Sequence, residues 1–142
     1  MQNSLQKLTK KYSLITSMAL AISLLTGCAN TFAPVAAEDL VSQRAQQRVD
    51  LLLDRKYDQA YEYLAPSYRA LNSVESYRGR FGDGAKWIDP KVANVECPTE
   101  DRCVVKVKLK VLVVARGFGK PIDSNMSETW LKEDGQWWYY QY

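Results

Sequence analysis

From Glu38 to Asp54 the apolar residues recur at helical spacing. Leu40, Val41, Ala45, Val49, Leu52 and Leu53 fall near i, i+4, i+8 and i+11, while Gln43, Arg44, Gln47, Arg48 and Asp50 occupy the other face. Glu38 and Asp39 suit the positive end of the helix dipole. A second helical stretch starts near Asp58, where Tyr57, Tyr61, Leu64, Tyr68 and Leu71 form a stripe. Pro66 breaks that stretch after Ala65, because proline lacks the amide donor and forces its predecessor to be extended. Asn72 and Ser73 then read as a turn and an N-cap. Val74, Tyr77 and Phe81 share one face of a third, short helix, which Gly82-Asp83-Gly84 ends.

Beyond Gly84 the period falls to two. Lys86–Cys97 reads as a strand with a possible break at Asp89-Pro90, and Cys103–Ala115 as the clearest strand. In the latter, Val105, Val107, Leu109, Val111 and Val113 point one way and Lys106, Lys108 and Lys110 the other. Ser124–Lys132 and Gln136–Tyr142 are the last two strands, joined through Asp134-Gly135, a strong hairpin signal. Helices followed by a run of antiparallel strands predict an α+β fold, with the helices on one face of a curved sheet of about four strands.

Composition changes the picture mainly through where the charge sits. The 142-residue chain carries a net charge of +3. Lys7, Lys10 and Lys11 precede the first acidic residue, Glu38, so residues 28–142 are neutral overall. No basic stripe remains for phosphates, which argues against a nucleic-acid partner. The three lysines precede an apolar run from Tyr12 to Leu25, and small residues lead from it into Leu25-Thr26-Gly27-Cys28. That is the order of an export signal, residues 1–27. The run is short and rich in Ser and Thr for a spanning helix of about 20 residues.

Leu25-Thr26-Gly27-Cys28 resembles the lipobox of bacterial lipoproteins. The resemblance implies that Cys28 is the acylated first residue of the mature protein. With Ala29 rather than Asp beside it, the anchor is expected in the outer membrane, the domain facing the periplasm. Residues 28–37 then form the lipidated terminus and tether, and residues 38–142 the domain. An exported chain meets an oxidising compartment, and Cys97 and Cys103 flank a five-residue turn between two strands, so a disulfide between them is expected.

The element order, with Leu51–Leu64, Ser67-Tyr68-Arg69, Ser76-Tyr77-Arg78 before Phe81, and Trp130–Tyr139, resembles the nuclear-transport-factor-2-like family. That family's cone-shaped fold implies a pocket enclosed by helix and sheet, and it hosts enzymes and binding modules alike. Tyr57, Tyr61, Tyr68, Tyr77, Trp87, Trp130 and Trp138 are the candidate lining; core packing is the competing reading of each.

Histidine is absent, which removes Ser-His and Cys-His nucleophile pairs and imidazole metal ligands. Two cysteines without histidine make a poor zinc site, and no metal or cofactor is expected. Asp54, Asp58 and Glu62 lie among tyrosines but fit a solvated helix face. The expected function is that of a membrane-anchored envelope lipoprotein with a non-enzymatic domain that binds a protein partner or a small apolar ligand. Two alternatives stand beside it. One is an isomerase or dehydratase using a Tyr-Asp pair. The other is a structural subunit of an envelope or secretion assembly, pairing through the outer sheet face where Leu112 and Val114 accompany the lysines.

Overall fold

The computed structural model describes residues 35–115, 117 and 119–141. The signal segment 1–27, Cys28 and residues 29–34 of the tether lie outside the described residues. The first helix, α1, runs Ala37–Leu53 with Glu38 and Asp39 in its first turn. Its buried stripe is Val41, Ala45, Arg48, Val49 and Leu52, and it packs on the sheet. Leu40 and Leu53, expected on this face, are substantially exposed. Arg48, expected on the solvent face, is only 4% exposed. Among the described residues, no helix is long and apolar enough to cross a membrane.

Helix α1 ends in a Schellman motif: the Lys56 amide donates to the Leu51 carbonyl at 2.8 Å and the Arg55 amide to the Leu52 carbonyl at 3.1 Å. The residue at the left-handed position is Arg55, φ 59°, where glycine is the usual occupant.

Three short helices follow: α2 (Tyr57–Tyr61), α3 (Pro66–Arg69) and α4 (Val74–Arg78). The break at Pro66 is where the sequence places it. Ala65 is extended (ψ 140°) and Pro66 opens α3. Leu71, expected at the end of the apolar stripe, is 86% exposed. Ser73 caps α4, its side chain accepting the Ser76 amide.

The sheet consists of β1 (Ala85–Thr99), β2 (Arg102–Val113), β3 (Ile122–Glu133) and β4 (Gln136–Tyr140), antiparallel and in sequence order. Asp134 and Gly135 both have positive φ, the two-residue turn that matches strand twist. Cys103, Val105, Val107 and Leu109 face the helices, and Lys106, Lys108 and Lys110 face solvent. Together the helices and sheet give the expected α+β architecture.

Asp89-Pro90 does not end its strand. The ladder slips between Ile88 and Lys91, Asp89 takes φ 46°, and the strand continues past a bulge. The groups freed there find Gln46 of α1: its amide donates to the Pro90 carbonyl at 3.1 Å and accepts the Val92 amide at 2.8 Å. At the opposite edge, the Tyr139 amide donates to the Tyr63 carbonyl and the Ala65 amide to the Tyr139 carbonyl, at 2.8 and 3.1 Å. Each sheet edge is therefore met locally by the chain's own helical half, at Pro90 and Val92 on β1 and at Tyr139 on β4.

Cys97 and Cys103 form a disulfide across the β1–β2 hairpin, Cα atoms 4.0 Å apart. The register that pairs Val95 with Val105 and Glu96 with Val104 sets the two cysteines directly opposite one another. Closing so short a loop stabilises by roughly 2 kcal/mol in the chain-entropy picture. The Cys97→Ala/Cys103→Ala protein is accordingly expected to lose about 2 kcal/mol of unfolding free energy and to unfold at lower urea concentration. A midpoint identical to that of the oxidised parent would show the bridge to be energetically idle.

Candidate functional site

The interior contains a charged centre that the sequence reading missed. Arg48 lies on the α1 stripe because Val41, Ala45, Arg48 and Leu52 are spaced by four, three and four residues. Glu128 lies on the inner face of β3 because it alternates in step with Met126 and Trp130, both packed in the core. Where helix and sheet meet, Arg48 Nη1 donates to Glu128 Oε1 at 2.5 Å and Arg48 Nη2 to the Tyr77 hydroxyl at 3.3 Å. The Trp130 indole donates to Glu128 Oε2 at 3.0 Å. The Arg48 guanidinium is stacked on Tyr139, 3.7 Å from the ring centroid, and its Nε has no partner. Both ionisable residues are buried, Arg48 at 4% exposure and Glu128 at 1%.

Burial pushes the Glu128 carboxyl above its ordinary range; Arg48 and the Trp130 indole pull it back. Burial likewise raises the Tyr77 and Tyr139 hydroxyls, with Arg48 opposing. Both Glu128 oxygens are committed to donors from the protein itself. A carboxylate so engaged and buried is poorly placed to take a proton from a bound molecule.

The seven candidate lining residues differ in burial. Tyr77 and Trp130 are fully buried in the core. Tyr61, Tyr68 and Trp138 are half-buried, and Tyr61 and Tyr68 pack against the cluster that contains Tyr77, the Tyr61 and Tyr77 ring centroids 5.7 Å apart. The Tyr61 hydroxyl donates to the Asn72 carbonyl at 2.6 Å, and Tyr68 lies beneath the Arg80 guanidinium at 5.7 Å. Trp138 contacts the guanidinium groups of Arg44 and Arg69 at 5.6 and 5.4 Å. Tyr57 and Trp87 border an open groove of about 780 Å³. Asp54, Asp58 and Glu62 are exposed and paired with Lys56, Arg78 and Arg69. Among the described residues, no group of three or more His, Cys, Asp or Glu side chains is placed to hold a metal ion.

The groove lies outside the Arg48–Glu128 centre. The end of α1 (Leu52, Leu53), Tyr57, Phe81 and Trp87 supply its apolar surface, with Tyr57 stacked on Phe81 at 4.9 Å. Arg55, Arg80 and Lys86 border it, together with Gly82, Gly84 and Ala85. Beside it lies a smaller concavity that shares Arg55 and Tyr57. Sequence periodicity had no means of assembling this site, because it draws on two stretches, 52–57 and 80–87, that meet only at one end of the helix.

No protein-family model and no curated protein matches the chain. Among solved structures, it is similar to a SEC-C motif containing protein from Rhodopseudomonas palustris. The TM-score is 0.53 at 16% identity, covering 69% of this chain and 73% of the other. A second similar structure is the association domain of C. elegans CaMKII, with TM-score 0.46 and 16% identity over 70% of this chain and 87% of that one. The first likeness bears on the fold alone, which is structurally similar to the nuclear-transport-factor-2-like fold.

Proposed function

We propose that this chain is a bacterial envelope lipoprotein, held in the outer membrane by an acylated Cys28, whose domain is a binding module rather than an enzyme. The observation that carries the second half is the state of the buried carboxylate: both oxygens of Glu128 are engaged, one by Arg48 and one by the Trp130 indole. An open groove with apolar and cationic borders supports binding instead. The anchoring half rests on Leu25-Thr26-Gly27-Cys28 behind its basic and apolar stretches, and the Cys97–Cys103 bridge is consistent with an oxidising compartment. Acyl chains on one cysteine, two or three together, suffice for stable attachment where a single chain does not.

Replacing Cys28 with Ser is expected to abolish incorporation of labelled palmitate and to move the protein from the membrane fraction to the soluble one. Unchanged partitioning would refute the anchor. Crosslinking of the lipidated protein in intact cells tests the binding half. Discrete adducts are expected, and their absence would count against a binding module.

A further inference from the structure

We propose that the groove at the end of α1 docks a short extended segment of a partner protein, one in which an apolar side chain is flanked by carboxylates. This rests on the reading of the domain as a binding module and specifies the partner's chemistry. Charge is the first argument. Of the three cations at the groove, only Arg55 has an ion-pair partner among the described residues, Asp83 at 2.7 Å. Arg80 sits over the Tyr68 ring, and Lys86 has no ion pair among the described residues. In a domain that is neutral overall, the rim therefore keeps two cations, Arg80 and Lys86, beyond the Arg55–Asp83 pair, and it complements an anionic occupant.

The second argument is Arg55 itself. It holds a left-handed conformation (φ 59°) at the one position of the helix-ending motif where glycine would fit without strain. A strained, charged residue at the mouth of a concavity points to a role for the side chain rather than for the turn.

The third is the sheet edge. The Val114 amide donates to the Gly84 carbonyl, so the strand alternation turns the backbone groups of Ala85 and Trp87 away from β2. Farther along β1 the edge is occupied by Gln46, whereas Ala85–Trp87 borders the groove. An extended peptide can pair with that stretch while placing alternate side chains against Leu53, Tyr57 and Phe81. An acyl chain makes no use of a strand edge, and in so open a groove much of its length would stay wet. The groove also lies at the far end of α1, some 17 residues or roughly 25 Å from where the tether enters. That distance favours an occupant arriving from the aqueous side over the anchoring bilayer.

The test uses the full chain in detergent and a fluorescent six-residue peptide alternating glutamate with leucine and phenylalanine. Its counterpart with lysine for glutamate is the control. The acidic peptide is expected to bind, more weakly as salt rises, and the lysine peptide not to. Arg55→Gly with Arg80→Glu should raise Kd by about tenfold or more. Arg55→Gly alone should hold or raise Tm while weakening the peptide, which separates docking from folding. The proposal is overturned if both peptides bind alike, if neither binds, if the double variant leaves Kd unchanged, or if oleate binds the groove and the acidic peptide does not.

Photoreactive side chains at positions 53 and 108, on the groove and on the lysine face, separate this proposal from the reading beneath it. Protein adducts at 53 support the docking site. Adducts at 108 alone overturn it but leave the binding module standing, and adducts at neither position remove both.

Discussion

Glu128→Leu is expected to bring the domain close to unfolding, whereas Glu128→Leu combined with Arg48→Met should recover most of the loss. The two side chains meet at 2.5 Å in the interior, where each charge has given up its water. Removing the carboxylate strands a buried guanidinium whose Nε already lacks a partner, a change that costs about 3–5 kcal/mol. A domain of this size has a total stability of roughly 5–15 kcal/mol. Replacing both partners by apolar side chains removes the desolvation penalty together with the attraction, so the double variant should lie within about 1–2 kcal/mol of the parent. Urea unfolding of the four proteins gives the coupling energy. Additive losses would mean that the pair does not act as a unit.

The same carboxyl sets a pH dependence. Burial holds Glu128 above its ordinary pKa, with Arg48 and Trp130 opposing. Between the ordinary and the raised value the folded state therefore binds more protons than the unfolded one. The group's contribution is complete below the ordinary carboxylate pKa and is lost as pH rises through the raised one. Glu75 runs the other way: its carboxyl is lowered, chiefly by its backbone amide and Ser73, and its contribution is lost on acidification. Subtracting the Tm profile of Glu128→Gln from that of the parent isolates the Glu128 effect. The difference should fall with rising pH; a difference that rises would mean the ion pair outweighs the burial.

Trp130→Ala should be the most damaging truncation of an aromatic side chain. Trp130 is fully buried, packs against Tyr139 at a centroid distance of 6.1 Å, and supplies the donor to Glu128 Oε2. Its loss opens a cavity and strips an acceptor of its partner, together about 3–5 kcal/mol. Indole added to the buffer should restore part of the Tm, because the vacated space matches its shape and recreates the N–H donor. Trp138→Ala, on the other side of the same hairpin and half-buried beneath Arg44 and Arg69, should cost about 1 kcal/mol or less. Equal losses for the two variants, with no rescue by indole, would mean that the interior is not packed tightly around Trp130.

Residue type and spacing disagree at two charged positions. Type places Arg48 on the polar face, while the spacing from Val41 through Ala45 to Leu52 runs through it. Type would likewise place Glu128 outside, while the alternation from Met126 to Trp130 points it inward. A charge is sent to the surface by default because burying one alone is prohibitive. The partner that makes it tolerable here lies 80 residues away in sequence. The stripe Tyr57, Tyr61, Leu64, Tyr68 and Leu71 holds as far as Tyr68: its first four members share one core cluster with Leu52, Ala60 and Tyr77, although Pro66 opens a new helix between them, and Leu71 turns out to solvent.

What the sequence determined by itself is local. The α1 periodicity, the stop at Pro66, the Ser73 cap, the Asp134-Gly135 turn and the facing cysteines each follow from the stereochemistry of a few neighbouring residues. Only the tertiary structure decided that an ion pair lies in the interior and that a groove opens at the far end of α1. Both depend on long-range meetings, Arg48 with Glu128 and the cluster around Leu52 with Phe81 and Trp87. Their free energies depend on the water excluded when the helix settles on the sheet, which no window along the chain contains.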